Sequence, residues 1–91
     1  MVDGMYYILV SGKVQGVLFR KFAKDKADTF GIHGYAKNLE NGKLEICAVG
    51  SANLLDRFVE YLKKGPPGAE VTDIMVKERV DKPFRLFEIL Y

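Results

Sequence analysis

Gly12-Lys13-Val14-Gln15-Gly16-Val17-Leu18-Phe19-Arg20 joins an apolar strand to an amphipathic helix. Upstream, Met5 to Ser11 is short, rich in Tyr, Ile, Leu and Val, and closed by Gly12, the pattern of a strand with most of its surface buried. Its alternation places Tyr6, Ile8 and Val10 on one face. From Phe19 the apolar period changes: Phe19, Phe22, Ala23, Ala27 and Phe30 make a helical stripe, Lys21, Lys24, Asp25 and Asp28 face away, and Gly31 supplies the stop. The stretch is thus the loop of a strand-loop-helix unit, and the remaining elements are read outward from it.

Gly34 to Leu39 and Lys43 to Val49 flank Glu40-Asn41-Gly42, and the Asn-Gly pair signals a hairpin of two antiparallel strands. Ser51 or Asn53 is placed to cap a second helix, whose stripe is Leu54, Leu55, Phe58, Val59 and Leu62 and which stops at Gly65 before Pro66 and Pro67. Val71, Ile74, Val76 and Val80 suggest a long strand with imperfect alternation; Phe84, Phe87 and Ile89, after Pro83, suggest a short fifth. The order β-α-β-β-α-β plus a tail predicts an α+β, ferredoxin-like split β-α-β sandwich. Two helices then cover one face of an antiparallel sheet of four strands plus a short fifth.

The 91 residues fit one domain spanning 1–91, with no repeat, and Gly65-Pro66-Pro67-Gly68 is too short for an interdomain linker. A formal net charge of +2, from 14 basic and 12 acidic side chains, gives no argument for nucleic acid or an anionic membrane, so any anion site must be local. Met1 to Tyr7 lacks the features of a signal peptide, and no stretch approaches the ~20 apolar residues of a membrane span. The expectation is a soluble, cytoplasmic protein. Cys47 is the only cysteine and His33 the only histidine, which excludes an internal disulfide and a cysteine-based zinc cage and argues against a transition-metal site.

In the expected topology strands 1 and 2 run parallel with strand 3 between them, so their C-terminal ends share one edge about 10 Å apart. The Gly12 to Arg20 loop leaves one end and Asn38 sits at the other. The loop meets the needs of an anion cradle: glycines, successive N–H groups and a helix N-terminus behind them, with the Arg20 guanidinium as a planar fork for phosphate oxygens. On spacing alone the plainer reading is preferred, in which the glycines make a turn, Arg20 is solvated and Asn38 caps a strand end.

Gly12 to Arg20 resembles the acylphosphatase signature Gly-x-Val-Gln-Gly-Val-x-Phe-Arg at every fixed position, and Gly31, Gly34, Asn38, Gly42 and Glu45 match the family's second spaced motif. Gly65-Pro66-Pro67 and Phe87-Glu88-Ile89 are also similar, so the resemblance spans nearly the whole chain. Tyr35 stands where many members have Trp, Asn41 where the hairpin often has Asp, and Leu18 in a variable place often held by a small residue.

The resemblance implies hydrolysis of a carboxyl-phosphate anhydride to a carboxylate and inorganic phosphate, with no metal or other cofactor. Carried over, Arg20 is the phosphate-binding arginine, Asn38 the water-orienting asparagine, and the backbone amides of Gln15, Gly16, Val17, Leu18, Phe19 and Arg20 the cradle. The implied partners are a small acyl phosphate and inorganic phosphate as product and inhibitor, without nucleic acid or membrane, and a monomer is expected. Two other readings are weighed: a non-catalytic acyl-phosphate-binding module, and a ferredoxin-like RNA-binding module. The latter needs exposed aromatics on the third strand, which Lys43 to Val49 lacks. His33 is expected at the edge opposite Arg20, and Cys47 on the open side of the sheet or in a shallow packing contact. Neither is assigned chemistry, nor is Glu45, which is read as part of a polar sheet face or hairpin pairing.

Overall fold

A computed structural model describes residues 3–79 and 87–90. In chain order the elements are β1 (Asp3–Lys13), α1 (Phe19–Phe30), β2 (His33–Asn38), β3 (Leu44–Ser51), α2 (Ala52–Lys64), β4 (Glu70–Arg79) and β5 (Phe87–Leu90). Val80, Pro83 and Phe84, read above into the last two strands or the turn between them, lie outside the described residues. The strands form one sheet in the order β4-β1-β3-β2-β5. β1 pairs antiparallel with β3 and β4, and β2 antiparallel with β3, so β1 and β2 run parallel with β3 between them. This is the ferredoxin-like α+β sandwich expected from the element order. β5 joins β2 in the parallel sense. Because β5 runs opposite to β4, and β4 opposite to β2, the otherwise antiparallel sheet acquires one parallel edge.

Both helices bury the stripes read from their sequences. Phe19, Ala23 and Ala27 of α1 and Leu55, Phe58, Val59 and Leu62 of α2 pack with Ile8, Val10, Ala36, Leu44, Ile46 and Ala48 of the sheet in one hydrophobic cluster. Each large side chain buried this way contributes ~1.5–3 kcal/mol, which is why the apolar period, more than helix propensity, fixes the elements. On the outer face of α1, Lys21–Asp25 at 3.0 Å and Lys24–Asp28 at 2.6 Å are exposed i,i+4 pairs, worth a few tenths of a kcal/mol each. Ser51 occupies the N-cap of α2, but its hydroxyl makes no capping bond; Asn53, the other candidate, lies inside the helix.

The hairpin closes where the Asn-Gly pair places it. Leu39 N–H donates to the Lys43 carbonyl at 2.9 Å, Gly42 N–H to the Leu39 carbonyl at 3.2 Å, and Lys43 N–H to Asn41 Oδ1 at 3.0 Å. At Gly34 the β2 backbone approaches β3 so closely that a Cβ would lie 1.8 Å from the Cys47 carbonyl oxygen, and its φ of 142° suits only glycine.

Candidate active site

Val10 of β1, Leu44 of β3 and Asn38 of β2 share one row across the sheet, so the ends of β1 and β2 stand two strand spacings, about 10 Å, apart. Asn38 follows the alternation of Ala36, which is fully buried, and therefore points to the helix-covered side. Its Oδ1 is buried and has no hydrogen-bond partner among the described residues. An unpaired buried amide oxygen costs ~1–3 kcal/mol, so it marks a place where a ligand or water supplies the missing donor.

The β1–α1 loop reaches the same place from the other strand end. Val14, 1% exposed, pins it to the core. Leu18, the N-cap of α1, is left-handed at φ 61°, ψ 26°, and it is the only non-glycine with positive φ among the described residues; this conformation costs a side-chain-bearing residue roughly 1–2 kcal/mol. No side chain caps α1 and its first turn holds no acidic residue. The first-turn N–H groups therefore lack an intrahelical acceptor and an acidic neighbour on their own turn, and the positive end of the helix dipole lies behind them.

Loop and strand end enclose a cavity of about 400 Å³. Gly16, Arg20, Lys21 and Asn38 form its polar side, and Val14, Leu18, Phe19 and Ile89 its apolar side. The fold thus brings Arg20 and Asn38, 18 positions apart in sequence, onto one cavity. Of the expected cradle residues, Gly16, Leu18, Phe19 and Arg20 line it, whereas Val17 packs against the core. Gln15 has a role that the sequence reading missed. Its side-chain Nε2 donates to the Leu39 carbonyl at 2.8 Å and to the Lys43 carbonyl at 3.1 Å, tying the loop to the hairpin that follows Asn38. Only the bare motif signalled it, because a glutamine's partner 24 residues away is set by the packing of two strand ends. Lys21 also lines the cavity while pairing with Asp25.

The discounted residues lie elsewhere. His33 pairs with Val49 at the start of β2, five residues before Asn38 on the same strand, so it stands at the opposite end. Cys47 is on the open face of the sheet but only 3% exposed, flanked in register by Tyr7 and Tyr35. The two phenols donate to Glu45, Tyr35 to Oε1 at 2.6 Å and Tyr7 to Oε2 at 3.0 Å. Burial first, then the bond to Glu45, pushes the Tyr35 phenol above its ordinary range. Tyr6, which donates to Asp56 at 2.7 Å, is pushed up to about 12, chiefly by that bond. Among the described residues no three His, Cys, Asp or Glu side chains gather as a metal site, and no helix is long and apolar enough to cross a membrane.

Residues 6–89 match the family model described as Acylphosphatase. The chain is 45% identical over 87 residues to the acylphosphatase of Bacillus subtilis, covering 94% of this chain and 96% of that one. It is 44% identical over 82 residues to that of Alkalilimnicola ehrlichii, covering 90% and 92%. The crystal structure of the Bacillus subtilis acylphosphatase superimposes with a TM-score of 0.94 at 44% identity, over 97% of this chain and 99% of that chain.

Proposed function

The chain belongs to the acylphosphatase family of hydrolases, which act on acyl phosphates, and from that premise we propose how its residues divide the work. The phosphoryl group sits in the cradle of Gln15 to Arg20, with the Arg20 guanidinium meeting two of its oxygens. The first-turn amides of α1 meet the rest, and the helix dipole adds to their field. A water occupies the gap toward β2, giving one O–H to Asn38 Oδ1. This aims its lone pair at phosphorus in line with the bond to the acyl oxygen.

Attack forms the bond from the water oxygen to phosphorus as the acyl oxygen–phosphorus bond breaks, and the carboxylate departs with the bonding electrons. A carboxylate is a stable leaving group, so no general acid is required. Asn38 cannot take a proton at neutral pH; a phosphoryl oxygen accepts it, and inorganic phosphate is released. Arg20 and the amides oppose the charge on the transferring group, where one such donor is worth ~3–4 kcal/mol of barrier. The proposal takes the unit of function to be a single domain over 1–91 acting as a monomer.

The observation that carries this reading is the buried Asn38 Oδ1, without a hydrogen-bond partner among the described residues, on the same cavity as Arg20. A nucleic-acid role is disfavoured by the open face, where both tyrosines are tied to a carboxylate that would repel a phosphate backbone. Spectrophotometric assay with benzoyl phosphate is the test. Hydrolysis that persists in EDTA and is inhibited competitively by inorganic phosphate supports the mechanism; binding without turnover would leave the binding-module reading in its place.

A further inference from the structure

Leu18 presents a contradiction that fold stability does not explain. Its side chain is 76% exposed, so it gains little from burial, and its backbone holds a left-handed conformation that glycine or asparagine adopts at less cost. A position that gives up stability twice, at the rim of a cavity, points to a role in what enters that cavity.

The size and chemistry of the cavity say which part of the substrate is involved. At ~30 Å³ for a molecule the size of water, the five heavy atoms of a phosphate fill only a fraction of about 400 Å³. The polar wall, from Gly16, Arg20 and Asn38, suits the phosphoryl end. The rest of the lining is apolar: Val14 and Phe19 are each 1% exposed, Ile89 is half-buried, and Leu18 is the exposed member. With phosphorus held by Arg20, the acyl group lies beyond the polar lining, and exposed Leu18 offers it apolar surface.

We propose that Leu18 forms an acyl-group subsite that selects acyl phosphates with an apolar acyl portion, aryl or branched alkyl, over acetyl or carbamoyl phosphate. The subsite rests on the phosphate-cradle reading given above. Bound there, an aryl ring covers the otherwise solvated isobutyl group of Leu18, so the apolar area is removed from water only in the complex.

The experiment compares kcat/KM for benzoyl and acetyl phosphate in the wild-type protein, Leu18→Gly and Leu18→Asn. Both replacements suit the left-handed backbone, and circular dichroism and thermal melting check that they fold. In both variants the benzoyl-to-acetyl ratio is expected to fall by about fivefold or more, through a raised KM for benzoyl phosphate, while Leu18→Met keeps most of the wild-type ratio. An unchanged ratio in the folded Gly and Asn variants overturns the subsite and leaves the cradle standing. Failure of the wild-type protein to hydrolyse either compound overturns both.

Discussion

Gln15 Nε2 lies 2.8 Å from the carbonyl oxygen of Leu39, so a side chain of the β1–α1 loop holds the residue that follows Asn38. Its second bond, to the Lys43 carbonyl at 3.1 Å, reaches the other side of the same hairpin. The loop and the β2 end are thereby clamped at one spacing, which the in-line attack proposed above requires.

Replacing Gln15 with Ala removes both bonds. The expected result is a loss of ~1–2 kcal/mol of stability and a fall in kcat of about tenfold, with a smaller change in KM, as for a misaligned nucleophile. Gln15→Glu, which keeps the size but lacks the donor at neutral pH, should do no better. Urea unfolding and steady-state kinetics on benzoyl phosphate separate the two effects; an unchanged kcat in both variants would reduce Gln15 to a loop staple.

Arg20 and Asn38 should fail in different ways. Arg20→Gln removes the fixed charge, so turnover falls by ~100-fold or more and competitive inhibition by inorganic phosphate weakens. Asn38→Ala leaves the anion site intact: turnover is lost by a similar factor while phosphate still inhibits. Near-normal hydrolysis by a folded Asn38→Ala protein would remove that residue from the mechanism.

Gly34→Ala tests the close backbone approach of β2 to β3. The new Cβ would meet the Cys47 carbonyl oxygen at 1.8 Å with φ at 142°, so β2 must separate from β3. A loss of more than ~3 kcal/mol is expected, measured as a large fall in the urea midpoint. Gly42→Ala, whose Cβ meets no atom within 4 Å but whose φ is 87°, should cost only the ~1–2 kcal/mol of left-handed backbone.

Alkaline pH should weaken the fold through its tyrosines. The Tyr6 phenol, bonded to Asp56, rises from an ordinary 10 to about 12, and Tyr35 is raised by burial and its bond to Glu45. A raised folded-state value means that the stabilisation is fully present below pH 10 and is lost as pH climbs through the folded values. Unfolding free energy should therefore decline from about pH 10 through 12 in the wild-type protein. Tyr6→Phe and Tyr35→Phe should start lower and decline less over that range; a slope equal to wild type in both would contradict the assignment.

The strands, helices and hairpin were legible in type and order, though β1 and β3 run longer than read, because period and punctuation are local: Ile8 and Val10 alternate, Phe19, Ala23 and Ala27 recur at a helical interval, and the Asn41-Gly42 turn closes on itself. Arg20 and Asn38 were legible as a pair only through spaced motifs, since either alone reads as a turn residue. Five features belong to tertiary structure. They are the parallel seat of β5, the Gln15 clamp, the Tyr7–Glu45–Tyr35 cluster around Cys47, the left-handed backbone of exposed Leu18, and the buried, unmatched oxygen of Asn38. Each depends on which residues meet across strands or on where the loop folds over a strand end. A sequence encodes the periodicity that drives burial directly, but long-range hydrogen-bond partners and orphaned polar atoms exist only once the sheet has brought distant segments into register.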